Sequence, residues 1–190
     1  MSNGLCEYLP FWSYIKIIVG VIPILAHFYI VPLTFNQHPF MTGLYIHVPL
    51  CLSRCRYCDF YKLTPKEWND VSQFLQCLDI ELGRLPGDFA PQTVFIGGGT
   101  PTALQPEAYA EMLDAIHRRI NLSNVLEFTS EANPGTLTKD KLEVMRKGGV
   151  NRVSIGVQTF NKKALRLLGR AHSRQQAMEG YHMLRDRKST

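Results

Sequence analysis

The sequence predicts an α/β protein built around a parallel sheet. Short apolar segments, rich in β-branched or aromatic residues, alternate along the chain with longer amphipathic segments of helical period. The predicted order is β-α-β-α-β-α-β-α, and each helical segment is long enough to cross the sheet between parallel strands. Doubly wound sheets and barrels share this order, so it leaves both architectures open.

Four segments are predicted to be strands, because each is short and ends in glycine or polar residues. They span residues 43–49, 93–98, 125–131 and 152–158. A cysteine-rich stretch follows the first segment and a glycine-rich turn follows the second, while polar residues end the other two. Since the carboxyl ends of parallel strands meet at one edge of a sheet, we expect all four strands to contribute to one site there.

Five helices are predicted from their apolar spacing and their capping residues. Thr64 begins a capping box with proline at the first helical position, and Ser173 begins another capping box. Pro106 opens the second helix, Thr138 caps the third, and the fourth spans residues 160–168. The third helix is expected to stop at the two glycines that follow it.

The first forty residues differ from the rest of the chain. Residues 17–53 include no Asp, Glu, Lys or Arg, and residues 11–33 are a candidate for membrane association through a span of marginal length. Pro23 interrupts that candidate helix, which favours a non-native or dispensable extension. We therefore expect an apolar extension over residues 1–40 and a folded domain over residues 41–190.

The composition is that of an ordinary folded protein, with 45% hydrophobic and 19% charged residues. The net charge is +5, but the basic residues are scattered along the chain, so no nucleic-acid partner is predicted. Three of the 5 cysteines lie within residues 51–58. That spacing suits metal ligation in a reducing compartment better than a disulfide framework, so we expect a cytoplasmic protein.

The stretch YIHVPLCLSRCRYCDFY carries Cys51, Cys55 and Cys58 at the spacing C-x3-C-x2-C. Thiolates are soft ligands that bind zinc, copper(I) or iron–sulfur clusters. A structural zinc site needs four ligands, and His47 is a candidate fourth unless it is a hydrogen-bonded histidine of the strand. In an iron–sulfur cluster, three cysteines leave one iron without a protein ligand and open to a small molecule.

The second candidate motif is GGGTP, residues 97–101, directly after a predicted strand. It is not a Walker loop, because no Gly-Lys-Ser/Thr follows, and Thr102 stands where a dinucleotide fingerprint has its third glycine. Taken alone, the motif is typical of a tight turn. Beside three cysteines at the same sheet edge, we expect it to be a backbone cradle, since glycine lets a ligand approach closely.

Five motifs follow one another along the chain: YIHVPLCLSRCRYCDFY, IGGGTPT, EANPGTLT, NRVSIGVQTFN and LLGRAH. Over about residues 42–173, they resemble the radical SAM superfamily. Within it they resemble the oxygen-independent coproporphyrinogen III oxidases and the HemW-like heme chaperones. This resemblance implies a partial (β/α)6-type barrel of parallel strands. Because the related proteins continue with further strands and a helical domain, we expect the chain to be truncated after its fourth strand.

The resemblance also implies two cofactors. Cys51, Cys55 and Cys58 would bind a 4Fe–4S cluster, and the open iron would take S-adenosylmethionine (SAM) through its amino and carboxylate groups. A carboxylate can accept from the ammonium group or a ribose hydroxyl of SAM, and a guanidinium can pair with its carboxylate. The residues implied to contact SAM are Tyr45, Tyr57, Gly98, Gly99, Thr100, Glu131, Gln158 and Arg170.

Phe60 distinguishes the two branches of this family. The oxidases carry the cysteine pattern C-x3-C-x2-C-x-C, whereas this chain has Phe60 in place of the last cysteine. Its run CDFY is similar to the sequence of the HemW branch. The resemblance therefore implies a chaperone that passes heme to an acceptor protein and draws electrons from a flavodoxin or ferredoxin. Two alternatives stay open, an oxidase of porphyrin biosynthesis and a non-catalytic zinc-binding module. SAM cleavage is left open, and porphyrinogen turnover is not favoured.

Overall fold

The computed structural model of the protein describes residues 17–22, 41–64 and 71–186. They include a five-stranded sheet whose strands lie side by side in chain order. Strands β2 to β5 are parallel to their neighbours, and β1 is antiparallel to β2. The strands are β1 (Ile17–Ile22), β2 (Met41–Val48), β3 (Thr93–Gly98), β4 (Glu127–Ala132) and β5 (Arg152–Ile155).

Helices connect the parallel strands, which confirms the predicted α/β class. Thr138 caps the third helix by accepting a hydrogen bond from the backbone N–H of Lys141, and this helix ends at Gly148 as predicted. Residues 65–70, where the predicted start of the first helix falls, lie outside the described residues. The helices are α1 (Val71–Leu82), α2 (Pro106–Arg119), α3 (Lys139–Lys147), α4 (Lys162–Leu168) and α5 (Arg174–Asp186).

The core lies on one face of the sheet. Alternate side chains of a strand point to opposite faces, and in β2 Leu44, Ile46 and Val48 are buried in one apolar cluster with residues of α1 and α2. The other face of β2 carries Tyr45, which stacks on Phe95 of β3 with ring centroids 5.9 Å apart. This second face carries the polar side chains of β2 toward the carboxyl edge of the sheet.

Strand β1 was not predicted. Its residues pair with β2 in the antiparallel register Ile17↔Ile46 to Ile22↔Met41, and their Ile and Val content suits an extended chain. This part of the candidate membrane segment is therefore a strand, while residues 23–40 lie outside the described residues. Among the described helices, none has the length and apolar character needed to cross a membrane. The division of the chain at residue 40 stays a prediction.

Strand β5 is shorter than predicted, because it ends at Ile155 and not at Gln158. The backbone carbonyl of Gly156 accepts a hydrogen bond from Arg170 Nη2 at 2.6 Å. The chain then turns away, and Gln158 has a φ of 63°, in the left-handed region that few residues other than glycine adopt. The Gly156 N–H still donates to Ala132 O of β4 at 2.9 Å, so pairing with β4 ends just after the strand. A local sequence pattern does not reveal the contact with Arg170.

Candidate functional site

The cysteine loop follows β2 and is closed at its base. Leu50 and Leu63 form a parallel bridge, supported by the hydrogen bond from Cys51 N to Leu63 O at 2.9 Å. Lys62 Nζ donates to the backbone carbonyls of Cys58, at 2.6 Å, and of Phe60. These contacts hold the loop in a compact turn beside the carboxyl edge of the sheet.

The three thiols of this loop are all free. Cys51 is buried, whereas Cys55 and Cys58 are partly exposed. Burial raises the pKa of the Cys51 thiol, a hydrogen bond with Thr100 opposes this, and the two neighbouring cysteines add to the rise. A cationic centre bound between the thiols would reverse this effect by favouring thiolates.

The GGGTP motif packs directly against the cysteine loop. Gly99 N donates to Val48 O at 2.8 Å and Thr100 N to Leu50 O at 2.6 Å, while Thr100 Oγ1 lies 3.4 Å from Cys51 Sγ. A Cβ added at Gly98, whose φ is 103°, would lie 2.5 Å from the imidazole of His47. The backbone approaches neighbouring protein atoms too closely here for side chains. The role of this turn as a ligand cradle stays a prediction.

Glu131, at the end of β4, lies beside this cradle. Its carboxylate accepts a hydrogen bond from Gly98 N at 3.1 Å. Burial raises the pKa of Glu131, and the bond from Gly98 opposes this rise. Burial raises the pKa of the nearby Tyr45 hydroxyl, and the negative charge of Glu131 adds to this rise. Together they bring the pKa of Tyr45 to about 12. A cation beside Glu131 would offset the cost of burying its charge.

A cavity of about 410 Å³ opens at the carboxyl edge of the sheet. It is lined by the three cysteines and by every residue predicted to contact SAM except Tyr45, which lies near enough to Glu131 to interact with its carboxylate. Phe60 also lines the cavity and is 63% exposed, as an aromatic side chain beside the thiols. The predicted lining residues are Cys51, Cys55, Cys58, Tyr57, Gly98, Gly99, Thr100, Glu131, Gln158 and Arg170.

His47 is a hydrogen-bonded histidine of the strand. Its Nε2 lies 3.0 Å from the carbonyl oxygen of Tyr61, and its Nδ1 lies 3.2 Å from the hydroxyl of Tyr45. Since a carbonyl only accepts, Nε2 carries the proton and Nδ1 accepts from the tyrosine. Both ring nitrogens are engaged within the protein, which disfavours His47 as the fourth ligand of a zinc site.

Arg170 joins the cysteine loop to the end of β5. Nη1 donates to Cys55 Sγ at 3.4 Å, and Nη2 donates to the carbonyl of Gly156. Among the described residues, the buried side-chain nitrogens without a hydrogen-bond partner are Arg170 Nε and His172 Nδ1, and both residues line the cavity. Buried polar atoms normally have partners, so these two are consistent with a ligand that the cavity would hold.

A second turn, after β4, also lines the cavity through Asn133, Gly135 and Thr136. It lies within the motif EANPGTLT, but none of these three residues was predicted to be a site residue. Asn133 Oδ1 accepts from Gly135 N, and Lys141, which is 5% exposed, donates from Nζ to the carbonyls of Thr102 and Thr136 at 2.6 and 3.0 Å. Lys141 therefore ties this turn to the one that follows the glycine motif. The Asn-Pro-Gly-Thr composition of the turn was the available signal.

The donor set fits an iron–sulfur cluster and a polar ligand beside it. Among the described residues, no group of three His, Cys, Asp or Glu side chains is placed to hold a single metal ion. The thiolates of a four-iron cluster each bind a different iron, so they stand further apart than the ligands of one ion. The two unpartnered nitrogens, Arg170 Nε and His172 Nδ1, add hydrogen-bonding positions beside the thiols.

The fold and the site define an α/β domain with a parallel sheet and three thiols at its carboxyl edge, and comparison with known proteins identifies the family. The family model of the Radical SAM superfamily matches residues 45–190. The chain therefore belongs to the radical SAM superfamily.

Curated relatives share about two fifths of the aligned residues. The chain is 42% identical over 139 residues to the heme chaperone HemW of Escherichia coli, covering 71% of the chain and 36% of that protein. It is 41% identical over 146 residues to radical S-adenosyl methionine domain-containing protein 1, mitochondrial, of Danio rerio, covering 75% and 33%. The chain thus spans about a third of the length of these relatives.

A solved structure shows the same fold. The coproporphyrinogen III oxidase of Escherichia coli, a radical SAM enzyme, superposes with a TM-score of 0.67 at 28% identity, over 75% of this chain and 33% of the oxidase. The α/β fold with a parallel sheet therefore resembles the radical SAM domain of that enzyme, as predicted.

Proposed function

We propose that the protein is a HemW-like radical SAM protein that binds a 4Fe–4S cluster and SAM and passes heme to an acceptor protein. The observation that carries this proposal is the loop of three free thiols opening into the same cavity as the glycine cradle and Glu131. The similarity to HemW proteins supports the choice of branch. The proposal includes a cytoplasmic location, where the three thiols would be kept reduced as cluster ligands.

Cys51, Cys55 and Cys58 would hold the cluster. When bound, such a cluster supplies a low-potential electron and one iron with an open coordination site. Arg170 Nη1, 3.4 Å from Cys55 Sγ, donates to this thiol and places a positive charge beside it. Tyr57, which is 46% exposed, borders the same cavity and would contact the edge of the bound cofactors.

SAM would lie across the ends of β3, β4 and β5. The backbone of Gly98, Gly99 and Thr100 would meet the methionine amino end, where Glu131 supplies the negative charge for the ammonium group. Gln158 and Arg170 would contact the remaining polar groups, and Arg170 Nε is an unpartnered donor for an anionic group. Tyr45, near the Glu131 carboxylate, would contact the cofactor beside the cluster.

A coproporphyrinogen III oxidase is the second candidate, and the structural similarity to the Escherichia coli enzyme favours it. Phe60 argues for the chaperone, because it places an exposed aromatic ring, not a thiol, at the mouth of the cavity. An aromatic side chain offers apolar contact to a flat hydrophobic ligand such as a porphyrin. The two candidates differ in whether a porphyrin is carried or chemically changed.

We expect the reconstituted chain to bind hemin saturably and to leave coproporphyrinogen III unchanged. Hemin binding is measured by its absorption difference spectrum, and turnover by chromatography of the porphyrins after incubation with SAM and a reductant. Iron-free protoporphyrin IX is the matched control, because it separates contact with the ring from ligation of the iron. Conversion of coproporphyrinogen III by the wild-type chain, or hemin binding that does not saturate, would contradict the chaperone proposal.

Glu131→Gln is expected to weaken SAM binding at least about tenfold, or about 1.4 kcal/mol. The amide oxygen can still accept the hydrogen bond from Gly98 N, so the cradle keeps its shape, but the charge that would pair with the ammonium group is lost. Anaerobic calorimetric titration measures the affinity. Glu127→Gln is the matched control, because Glu127 lies on the same strand and pairs with Arg152 at the surface. Equal SAM affinities in the two variants would show that the charge of Glu131 does not contribute to SAM binding.

A further inference from the structure

Helix α4 presents a basic face to solvent next to the cysteine loop. Lys163, Arg166 and Leu167 follow one another at i, i+3 and i+4, so they share one side of the helix. All three are exposed, and Leu167 is 69% exposed, whereas Leu165 on the other side is buried. The outward side of this helix therefore combines two cations with an apolar side chain.

The positive charge of this helix is not balanced nearby in the sequence. The chain has no Asp or Glu between Glu143 and Glu179, a stretch that includes all of α4. In the part of the chain that the structure describes, no ion pair involves Lys162, Lys163 or Arg166. The face thus carries a net positive potential toward an approaching molecule.

The carboxyl end of α4 lies directly against the loop of the three thiols. Arg56, between Cys55 and Cys58, donates its backbone N–H to Leu168 O at 3.0 Å. Gly169 then turns the chain with a φ of 71°, and a Cβ there would lie 3.5 Å from the Arg56 backbone nitrogen. Arg56 is exposed and extends the basic face onto the cysteine loop.

We propose that Arg56, Lys162, Lys163, Arg166 and Leu167, the α4 face, form the docking surface for an acidic protein that carries a one-electron redox centre. The inference rests on the proposed function, because a bound cluster has to receive electrons from outside. Opposite charge steers such a partner to the surface and raises the rate of association. The position beside the thiols brings the redox centre of the partner close to the cluster.

The transfer involves one electron. The reduced flavin or iron–sulfur centre of the partner would lose this electron, and a cluster bound by Cys51, Cys55 and Cys58 would gain it. No bond forms between the two proteins and no proton transfer is required, so recognition depends on charge and contact alone. This predicts a weak and strongly salt-dependent complex.

The test is the binding of oxidised flavodoxin, an acidic one-electron carrier, to the full chain, measured by calorimetry. This readout does not require a cluster. We expect Lys162→Glu/Lys163→Glu to weaken binding at least about tenfold at about 0.01 M ionic strength, where the Debye length is ~30 Å. The difference should disappear at about 1 M salt, where that length is ~3 Å. Lys162→Gln/Lys163→Gln should lie between the wild type and the charge reversal.

Arg146→Glu/Lys147→Glu is the matched control. It reverses two adjacent exposed cations at the end of α3, where the chain enters the opposite edge of the sheet. Circular dichroism verifies that each variant is folded. The proposal is overturned if both reversals weaken flavodoxin binding equally, or if neither does. It is also overturned if a single-stranded oligonucleotide binds the α4 face while flavodoxin does not.

Reduction of the cluster separates this proposal from the proposed function. In a chain loaded with cluster, photoreduced deazariboflavin, a small reductant, should reduce wild type and Lys162→Glu/Lys163→Glu equally fast. Reduced flavodoxin should reduce the variant at least about tenfold more slowly at low salt. Failure to load a cluster would refute the proposed function while leaving the flavodoxin affinity measurable, and equal rates with flavodoxin would refute the docking surface alone.

Discussion

Replacing any one of Cys51, Cys55 and Cys58 by alanine is expected to abolish binding of the iron–sulfur cluster. Each thiolate would bind a different iron, and losing one leaves a second iron without a protein ligand. After anaerobic reconstitution, iron and sulfide analysis should give about four irons per wild-type chain. Each variant should fall to the background, with loss of the visible absorption band.

Ser53→Ala is the control for this series, because Ser53 belongs to the same loop and lines the same cavity without offering a thiolate. It should retain the full iron content, since the loop is closed by backbone contacts between Leu50 and Leu63 and by Lys62. Stoichiometric zinc without iron in the wild type would favour the zinc module instead. A complete cluster in one of the cysteine variants would remove that cysteine from the ligand set.

The convergence of the site was predictable because it depends only on strand order and on the residues that end each strand. In a parallel sheet, the residues after β2, β3 and β4 must meet at one edge, and the structure brings Cys51, Gly98 and Glu131 to one cavity there. Contacts made by side chains distant in sequence were not predictable in this way. Lys141 on α3 donates to the carbonyls of Thr102 and Thr136, which lie in two different turns. The sequence pattern of α3 indicates only an ordinary amphipathic helix and does not predict these contacts.

The two errors in the sheet have different physical origins. Strand β1 was missed because an uninterrupted apolar run is equally compatible with a strand, a buried helix or a membrane span. The end of β5 was misplaced because the carbonyl of Gly156 is bound by Arg170, and the left-handed conformation of Gln158 then directs the chain away. In the first case the local pattern was ambiguous, and in the second a tertiary contact overrode it.

Gly99→Ala is expected to destabilise the fold by about 1–3 kcal/mol, the usual cost of overpacking a close contact. An added Cβ would lie 2.7 Å from Leu50 O and 2.9 Å from Val48 O. Both neighbours are backbone atoms, so the variant has to separate the glycine turn from the base of the cysteine loop. That movement displaces Thr100, whose N–H and hydroxyl contact Leu50 and Cys51.

We therefore expect Gly99→Ala to lose SAM affinity at least about tenfold beyond any loss of stability, and to retain its cluster less well than the wild type. Denaturant unfolding gives the stability, and anaerobic calorimetric titration of the folded fraction gives the affinity. Gly87→Ala is the matched control, since Gly87 is exposed and a Cβ there would meet nothing within 4 Å. If Gly99→Ala bound SAM as tightly as Gly87→Ala, the turn would be only a structural connection, and the cradle would have to be sought elsewhere in the cavity.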